Sequence, residues 1–356
     1  MLSSSKEAKN GINLGKGRFT VMMHVFGQSN GNGSCEIIDV EEFMKGIEIY
    51  VATKSLFDNF GNESRTPMQR IGSIYNVEVP LECIEEVCGI RVFMNSELVG
   101  GGQIILNQNS ASGIRLFMTT DGRIFDIKYL EGPTLSDWMT LANITQEALL
   151  AEPYVFVPED KSLYKSWMAV RDDEMKSLWP RFYAKCTSQH QIPADMSGWV
   201  DNNLKSYFAS QCVLPYAINA KEYCGVTVDE PPMGAYSFLD SIDYSADVFL
   251  LSDMMLSSRR KLLEGILVYP CGGLEKIGET TVAEWQKTIG DKLSPAIKDC
   301  PKLLLDLLAG MSYVRQIDNN EPLTETQKKN IAAGFTDDIG KIVLARNERL
   351  SGKKSE

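Results

Sequence analysis

Histidine is scarce in this chain: His24 and His190 are its two. That excludes a His-rich metal centre. None of the eight cysteines forms a Cys-x-x-Cys pair, which argues against a thioredoxin-type redox centre or a zinc knuckle. The closest two, Cys83 and Cys88, are too far apart in sequence for either. Basic residues are in deficit, with 36 Lys and Arg against 47 Asp and Glu and a net charge of −11. Phosphate neutralisation needs clustered cations, so nucleic acid is not an expected partner. No stretch reaches the roughly 18 apolar residues of a membrane span. The densest run, Leu303 to Leu308, is broken by Asp306. The opening from Met1 to Asn10 has no apolar centre, so no signal peptide is read there. A polar opening of this kind also suits a tether behind a removed leader.

What is present is ordinary globular material. Apolar residues make up 44%, enough to fill a core without staples. The cysteines at 35, 83, 88, 186, 212, 224, 271 and 300 are expected mostly as buried thiols, with one or two disulfides as the alternative.

The first third alternates. Phe19, Val21, Met23 and Val25 take one side; Arg18, Thr20, Met22 and His24 take the other. Ile47, Ile49 and Val51 repeat the pattern, as do Tyr75, Val77 and Val79. Ile114, Leu116 and Met118 alternate with Arg115 and Phe117, and Phe125, Ile127 and Tyr129 follow. Period two with one apolar face predicts half-buried antiparallel strands. Asp121-Gly122 predicts a type I′ hairpin between two of them. Residues 15–131 are therefore expected to form a β-sandwich of about seven strands, behind a flexible linker over 1–14.

After Gly132-Pro133 the period changes. Val200, Leu204, Phe208 and Cys212 recur at every fourth residue. Thr281-Val-Ala-Glu284 and Thr324-Glu-Thr-Gln327 are capping boxes. Gly290 is expected to stop the first helix. Ile331, Phe335, Ile339 and Ile342 continue the second at helical spacing. Leu304, Leu308, Met311 and Val314 line another helical face. Residues 132–350 are expected to be all helical, with a polar tail over 351–356. Strands first and helices afterwards give a segregated α+β chain: an N-terminal antiparallel β-sandwich followed by an all-α domain.

No motif carries a chemistry by itself. Gly27-Gln-Ser29-Asn-Gly31 matches the nucleophile elbow of hydrolases, but Asn30 to Ser34 reads as a loop, not a helix. Ser29, with His190 as its base, therefore yields to a hairpin loop. Gly11 to Gly17 resembles a phosphate loop but is one residue short between its outer glycines, and Gly17 stands where Ser or Thr must bind Mg²⁺. Gly100-Gly101-Gly102 is expected to be a turn or bulge. His24 reads as a hydrogen-bonded surface residue and His190 as an interhelical loop residue. Glu82, Glu85 and Glu86, and Asp172, Asp173 and Glu174, could be paired acids; a solvated face or a helix first turn is the plainer reading. Trp138, Trp167, Trp179 and Trp199 are core aromatics, or else line a groove for a partner. Asn32, Asn62 and Asn143 stand in glycosylation sequons, a pattern common by chance. No catalytic, cofactor-binding or metal-binding residue is assigned.

The helical half carries a resemblance. Phe238-Leu-Asp-Ser-Ile-Asp-Tyr-Ser-Ala-Asp-Val-Phe-Leu-Leu-Ser-Asp253 comes first, then Thr281-Val-Ala-Glu-Trp285, Pro322-Leu-Thr-Glu-Thr-Gln327 and Asn347-Glu-Arg-Leu350. In this order they resemble the helical region upstream of the thioredoxin domain in TlpA-like, AhpC/TSA-family bacterial lipoproteins. Arg18–Phe26, Ile47–Val51 and Ile74–Val79 are compatible with the β-rich module that opens those proteins. The resemblance implies an extracytoplasmic accessory region, lipid-anchored at a removed N-terminus. It would position a downstream thioredoxin-fold domain or recruit a protein partner. The Trp-Cys-x-x-Cys centre of that family is missing here, so no catalytic residue carries over. The chain reaches Glu356 about where such a domain is expected to begin. A stand-alone cell-surface protein binding a small ligand or a glycan is the alternative.

Overall fold

The computed structural model describes residues 11–27, 40–58, 63–156, 171–215, 233–251, 258–273 and 276–353. Among them the chain is α+β and segregated, with strands first and helices afterwards. It divides into two compact units. One takes in Asn13–Thr140; the other takes in the described residues up to Ile12 and those from Leu141 onward.

The first unit holds nine described strands: β1 Ile12–Phe26, β2 Ile47–Lys54, β3 Glu63–Pro67, β4 Gln69–Ile71, β5 Ile74–Cys83, β6 Glu85–Met94, β7 Glu97–Asn107, β8 Ala111–Thr119 and β9 Ile124–Tyr129. A one-turn helix, α1 (Val40–Lys45), precedes β2. The strands form a five-stranded sheet, β4-β5-β1-β8-β9, and a four-stranded sheet, β3-β2-β6-β7. Their inner faces share one core. Phe19, Val21 and Met23 of β1, with Leu116 and Met118 of β8, meet Ile49, Val51, Ile90, Val92 and Leu106 of the other sheet. Each such side chain contributes about 1.5–3 kcal/mol by leaving water.

Four details differ from the sequence reading. The sandwich is not wholly antiparallel, because β1 pairs with β8 in parallel, from Arg18 with Ala111 to Phe26 with Thr119. Residues 11–17 are not a slack linker: β1 starts at Ile12, and a Cβ on Gly17 would stand 2.7 Å from the Leu81 side chain. Asp121-Gly122 is not a type I′ turn, which needs positive φ at both central residues; only Gly122 has it, at 88°. The two-residue turn of that kind lies at Asn95-Ser96, with φ of 50° and 69°, between Met94 and Glu97. Finally, Gly100-Gly101-Gly102 lies inside β7, just after a register shift. A Cβ on Gly101 would sit 2.4 Å from the Ile90 carbonyl oxygen, so the neighbouring backbone demands glycine.

The second unit is built of helices. They are the end of α2 (Leu135–Phe156), α3 (Arg171–Thr187), α4 (Ser197–Phe208), α5 (Ala246–Phe249), α6 (Ser258–Val268), α7 (Val282–Leu293), α8 (Lys302–Asp318), α9 (Glu325–Gly334) and α10 (Ile339–Lys353). A π segment, Ala209–Val213, extends α4, and a 3-10 segment covers Met233–Ser241. Helix α8 is buried on nearly every side, Leu304, Leu308, Met311 and Val314 completely, so it is the axis of the unit. Both capping boxes form.

Gly290 does not end α7; the helix runs to Leu293, and its C-cap, Ser294, is still right-handed at φ −52°. The Ile331-to-Ile342 periodicity is split between two helices, since Phe335 turns extended at φ −96° and ψ 135°. The expected polar tail is helical as far as Lys353. No helix among the described residues is long and apolar enough to cross a membrane.

Candidate functional site: an aromatic sheet face

The outward positions of β1 are set by its inward ones. With Phe19, Val21 and Met23 in the core, Arg18, Thr20, Met22, His24 and Phe26 face away from it. On β8 the same argument turns Arg115 and Phe117 outward. The parallel register places His24 beside Phe117. Their rings stack, with centroids 4.8 Å apart and planes 12° from parallel.

Phe125 joins them through an irregularity. Phe117 pairs with Asp126, but Met118 pairs with Ile124, so β9 carries one extra residue, Phe125. Simple alternation would put Phe125 on the core face with Ile127. The bulge instead turns Ile124 toward the core and leaves Phe125 50% exposed. The sequence reading of one apolar face through Phe125, Ile127 and Tyr129 is corrected there.

The result is a continuous aromatic cluster on the solvent side of the sheet. Phe26 meets Phe125 edge-on at 5.5 Å, and Phe117 lies 6.2 Å from Phe125 and 6.3 Å from Phe26. Phe26 is 48% exposed. Lys128 Nζ lies 5.3 Å from the Phe117 ring centroid, a cation–π contact. Exposed single apolar residues need no explanation, but four interlocked rings on one face do.

Charge accompanies the rings. Arg115 on β8 stands directly opposite Lys128 on β9. Both are exposed, and like charges in that position destabilise a strand pair. Arg115 makes no ion pair among the described residues, while Lys128 reaches Asp126 only at 3.9 Å. Replacing Arg115 with glutamate is therefore expected to stabilise the fold by about 0.2–1 kcal/mol. A rise in urea midpoint at unchanged slope is the expected reading.

A cleft of about 490 Å³ lies on the same unit, lined by Arg18, Thr20, Gln69, Asn76 and Glu78 among others. Thr20 Oγ1 donates to Asn76 Oδ1 at 2.9 Å across it. Strand β1 thus supplies Arg18 and Thr20 to the cleft, and His24 and Phe26 to the rings.

The other sequence candidates have structural duties. Glu82, Glu85 and Glu86 sit at the β5–β6 turn, not on a helix. Glu82 accepts from the Ser55 hydroxyl and, at 2.6 Å, from the Leu56 N–H. Glu86 accepts from the Cys83 N–H at 2.6 Å, and Glu85 from Asn107 at 2.8 Å. These carboxylates tie backbone and do not face one another as an acid–base pair. His190 lies just past α3, its Nε2 buried with no hydrogen-bond partner among the described residues.

Among the described tryptophans, Trp199 is half-buried on α4. Trp138 is buried, and Trp179 packs into a cluster with Phe182, Phe208 and Phe238. Ser29, Asn32, Cys35, Asn62, Trp167 and Cys224 lie outside the described residues, as do the side chains of Asp172, Asp173 and Glu174. Asn143 is exposed on α2.

Cys88, Cys186 and Cys271 are poor nucleophiles. Cys88 is buried and its pKa is pushed well up, first by burial and then by Glu86. Burial also lifts Cys186 and Cys271 to about 12, with the nearby Cys300 adding to the rise at Cys271. These groups stay protonated in the folded chain while the unfolded chain ionises near pH 9. Stability is unaffected below that pH and falls as pH rises from about 9 toward 12. The expected result is a urea midpoint flat from pH 6 to 8 and lower at pH 10.5. A Cys186→Ala, Cys271→Ala variant should lose less over that interval.

No family model, no curated protein and no solved structure matches this chain.

Proposed function

We propose that this chain is a binding protein whose ligand lies on the outer face of the five-stranded sheet. The carrying observation is the ring cluster of His24, Phe26, Phe117 and Phe125, completed by a bulge that turns Phe125 out of the core. Bulges of this sort re-aim side chains at functional positions. Rigid aromatic side chains supply contact area at low entropic cost. Exposing two half-buried phenylalanines to water has no benefit to folding, so a ligand that covers them is the simplest account.

The test is a pair of arrays, one of oligosaccharides and one of peptides, probed with the full chain and with a Phe26→Ser, Phe125→Ser variant. Binding that the variant loses, at an unchanged melting temperature, supports the reading. Binding that the variant retains, or no binding on either array, overturns it.

A second reading draws on the buried thiols. Held protonated, they leave thiol–disulfide exchange to a separate domain, as in the accessory region of a TlpA-like oxidoreductase at the cell envelope. Catalysis of insulin reduction by dithiothreitol, well above background, would overturn it.

A further inference from the structure

We infer that the ligand of the aromatic face is an acidic oligosaccharide, a chain of carboxylated pyranose rings. This rests on the binding reading above and gives it a chemical class. Three observations carry it.

The first is the paired cation. Arg115 and Lys128 face each other across β8 and β9 on a chain whose net charge is −11. Two cations in register repel, and Arg115 has no ion-pair partner among the described residues to offset that. A carboxylate between them would relieve the repulsion, and the Arg115 guanidinium can bind it through two parallel hydrogen bonds. Asp126, 3.9 Å from Lys128, competes for the lysine but not for the arginine.

The second is the ring surface next to those cations. Lys128 reaches over Phe117, and Arg115 lies two residues before it on the same strand face. The C–H face of a pyranose packs against an aromatic ring, whose negative quadrupole attracts those hydrogens. A sugar bearing a carboxylate therefore meets ring and cation at once.

The third is the continuation along β1. From Arg18 to Phe26 its outward side chains span about 26 Å, at about 3.3 Å per residue. They run from the cleft with its Thr20–Asn76 hydroxyl and amide to the rings. That length suits an oligosaccharide rather than one sugar. The face presents side chains of β1 and β8, strands inside the sheet, and of β9 at its edge, and its contacts come from outward side chains rather than from a strand's backbone. An extended peptide adds to a sheet edge through backbone bonds instead, so the geometry favours the sugar.

Calorimetry on the full chain with three hexamers tests this: oligogalacturonate, neutral cellohexaose and hexaglutamate. The expected result is binding of the uronate at least tenfold tighter than of the other two. That binding should weaken with added salt and fall at least tenfold in Arg115→Gln, with the melting temperature not lowered. Equal affinity for cellohexaose would overturn the role of the cations. Preference for hexaglutamate would overturn the sugar class. Binding that Arg115→Gln leaves intact would overturn the site. If all three probes fail while the arrays show binding dependent on Phe26 and Phe125, the ligand class falls and the binding face stands. If the arrays are also blank, both fall.

Discussion

Replacing Gln327 with leucine is expected to lower the unfolding free energy by about 3 kcal/mol. The residue does two jobs. As the third residue of α9 it closes the capping box, its Oε1 accepting from the Thr324 N–H at 2.9 Å. It is also buried, and exchanges two hydrogen bonds with Gln316 of α8, at 3.1 and 2.9 Å. Its Nε2 further donates to the Gly278 carbonyl at 3.1 Å. Leucine fills the volume but strands the Gln316 amide, and a stranded buried polar group costs about 1–3 kcal/mol. The lost bond from the Thr324 N–H adds about 1 kcal/mol, while the Thr324 hydroxyl keeps its bond from the backbone N–H of residue 327. Removing both amides, Gln316→Leu with Gln327→Leu, should cost less than the two single changes summed. A double-mutant cycle by urea denaturation measures the coupling, expected at about 1–2 kcal/mol. Additive costs would mean that the two amides act independently.

Phe208→Ala carries the second large effect, a loss of about 3–5 kcal/mol. Phe208 is fully buried at the end of α4. Its ring lies 5.4 Å from Phe182 and 5.7 Å from Trp179 on α3, and 5.0 Å from Phe238 in the 3-10 segment. Three elements meet at this one ring. Alanine would leave a cavity that no single side chain can collapse into, because each wall belongs to a different element. Phe208→Leu keeps most of the volume and should cost less than half as much. Trp179 emission should shift to the red in the alanine variant, reporting water at the ring. A variant as stable as the parent would show that these elements do not depend on one another.

The parts of the fold legible in the sequence are those set by near neighbours. Phe19 to Val25 alternates because one sheet face is dry, and the same arithmetic finds the inward residues of β2, β5 and β8. Thr281 and Thr324 announce helix starts because a cap needs only residues three apart. The aromatic face was hidden for the opposite reason. His24 and Phe26 belong to one strand, Phe117 to a second and Phe125 to a third, and only the register between strands assembles them. Two signals were nonetheless present: Phe117 falls in the polar phase of its strand, and Phe26 follows His24 in the polar phase of β1. The bulge at Phe125 had none, since Phe125, Ile127 and Tyr129 alternate without a break. Asn95-Ser96 escaped notice as a turn because it lacks the glycine that usually marks left-handed positions.

The parallel pairing of β1 with β8 also orders events on the ribosome. Arg18 must wait for Ala111. At about 5–20 residues per second, that partner emerges on the order of ten seconds later. From the emergence of Cys83 to that of Ala111 the nascent sheet has β5 on one side of β1 and nothing on the other. Its apolar face, Phe19, Val21 and Met23, has only part of its cover. In this period the apolar face and the unpaired edge of β1 are open to aggregation. Slowing translation between Cys83 and Ala111 would lengthen it, and speeding translation there would shorten it.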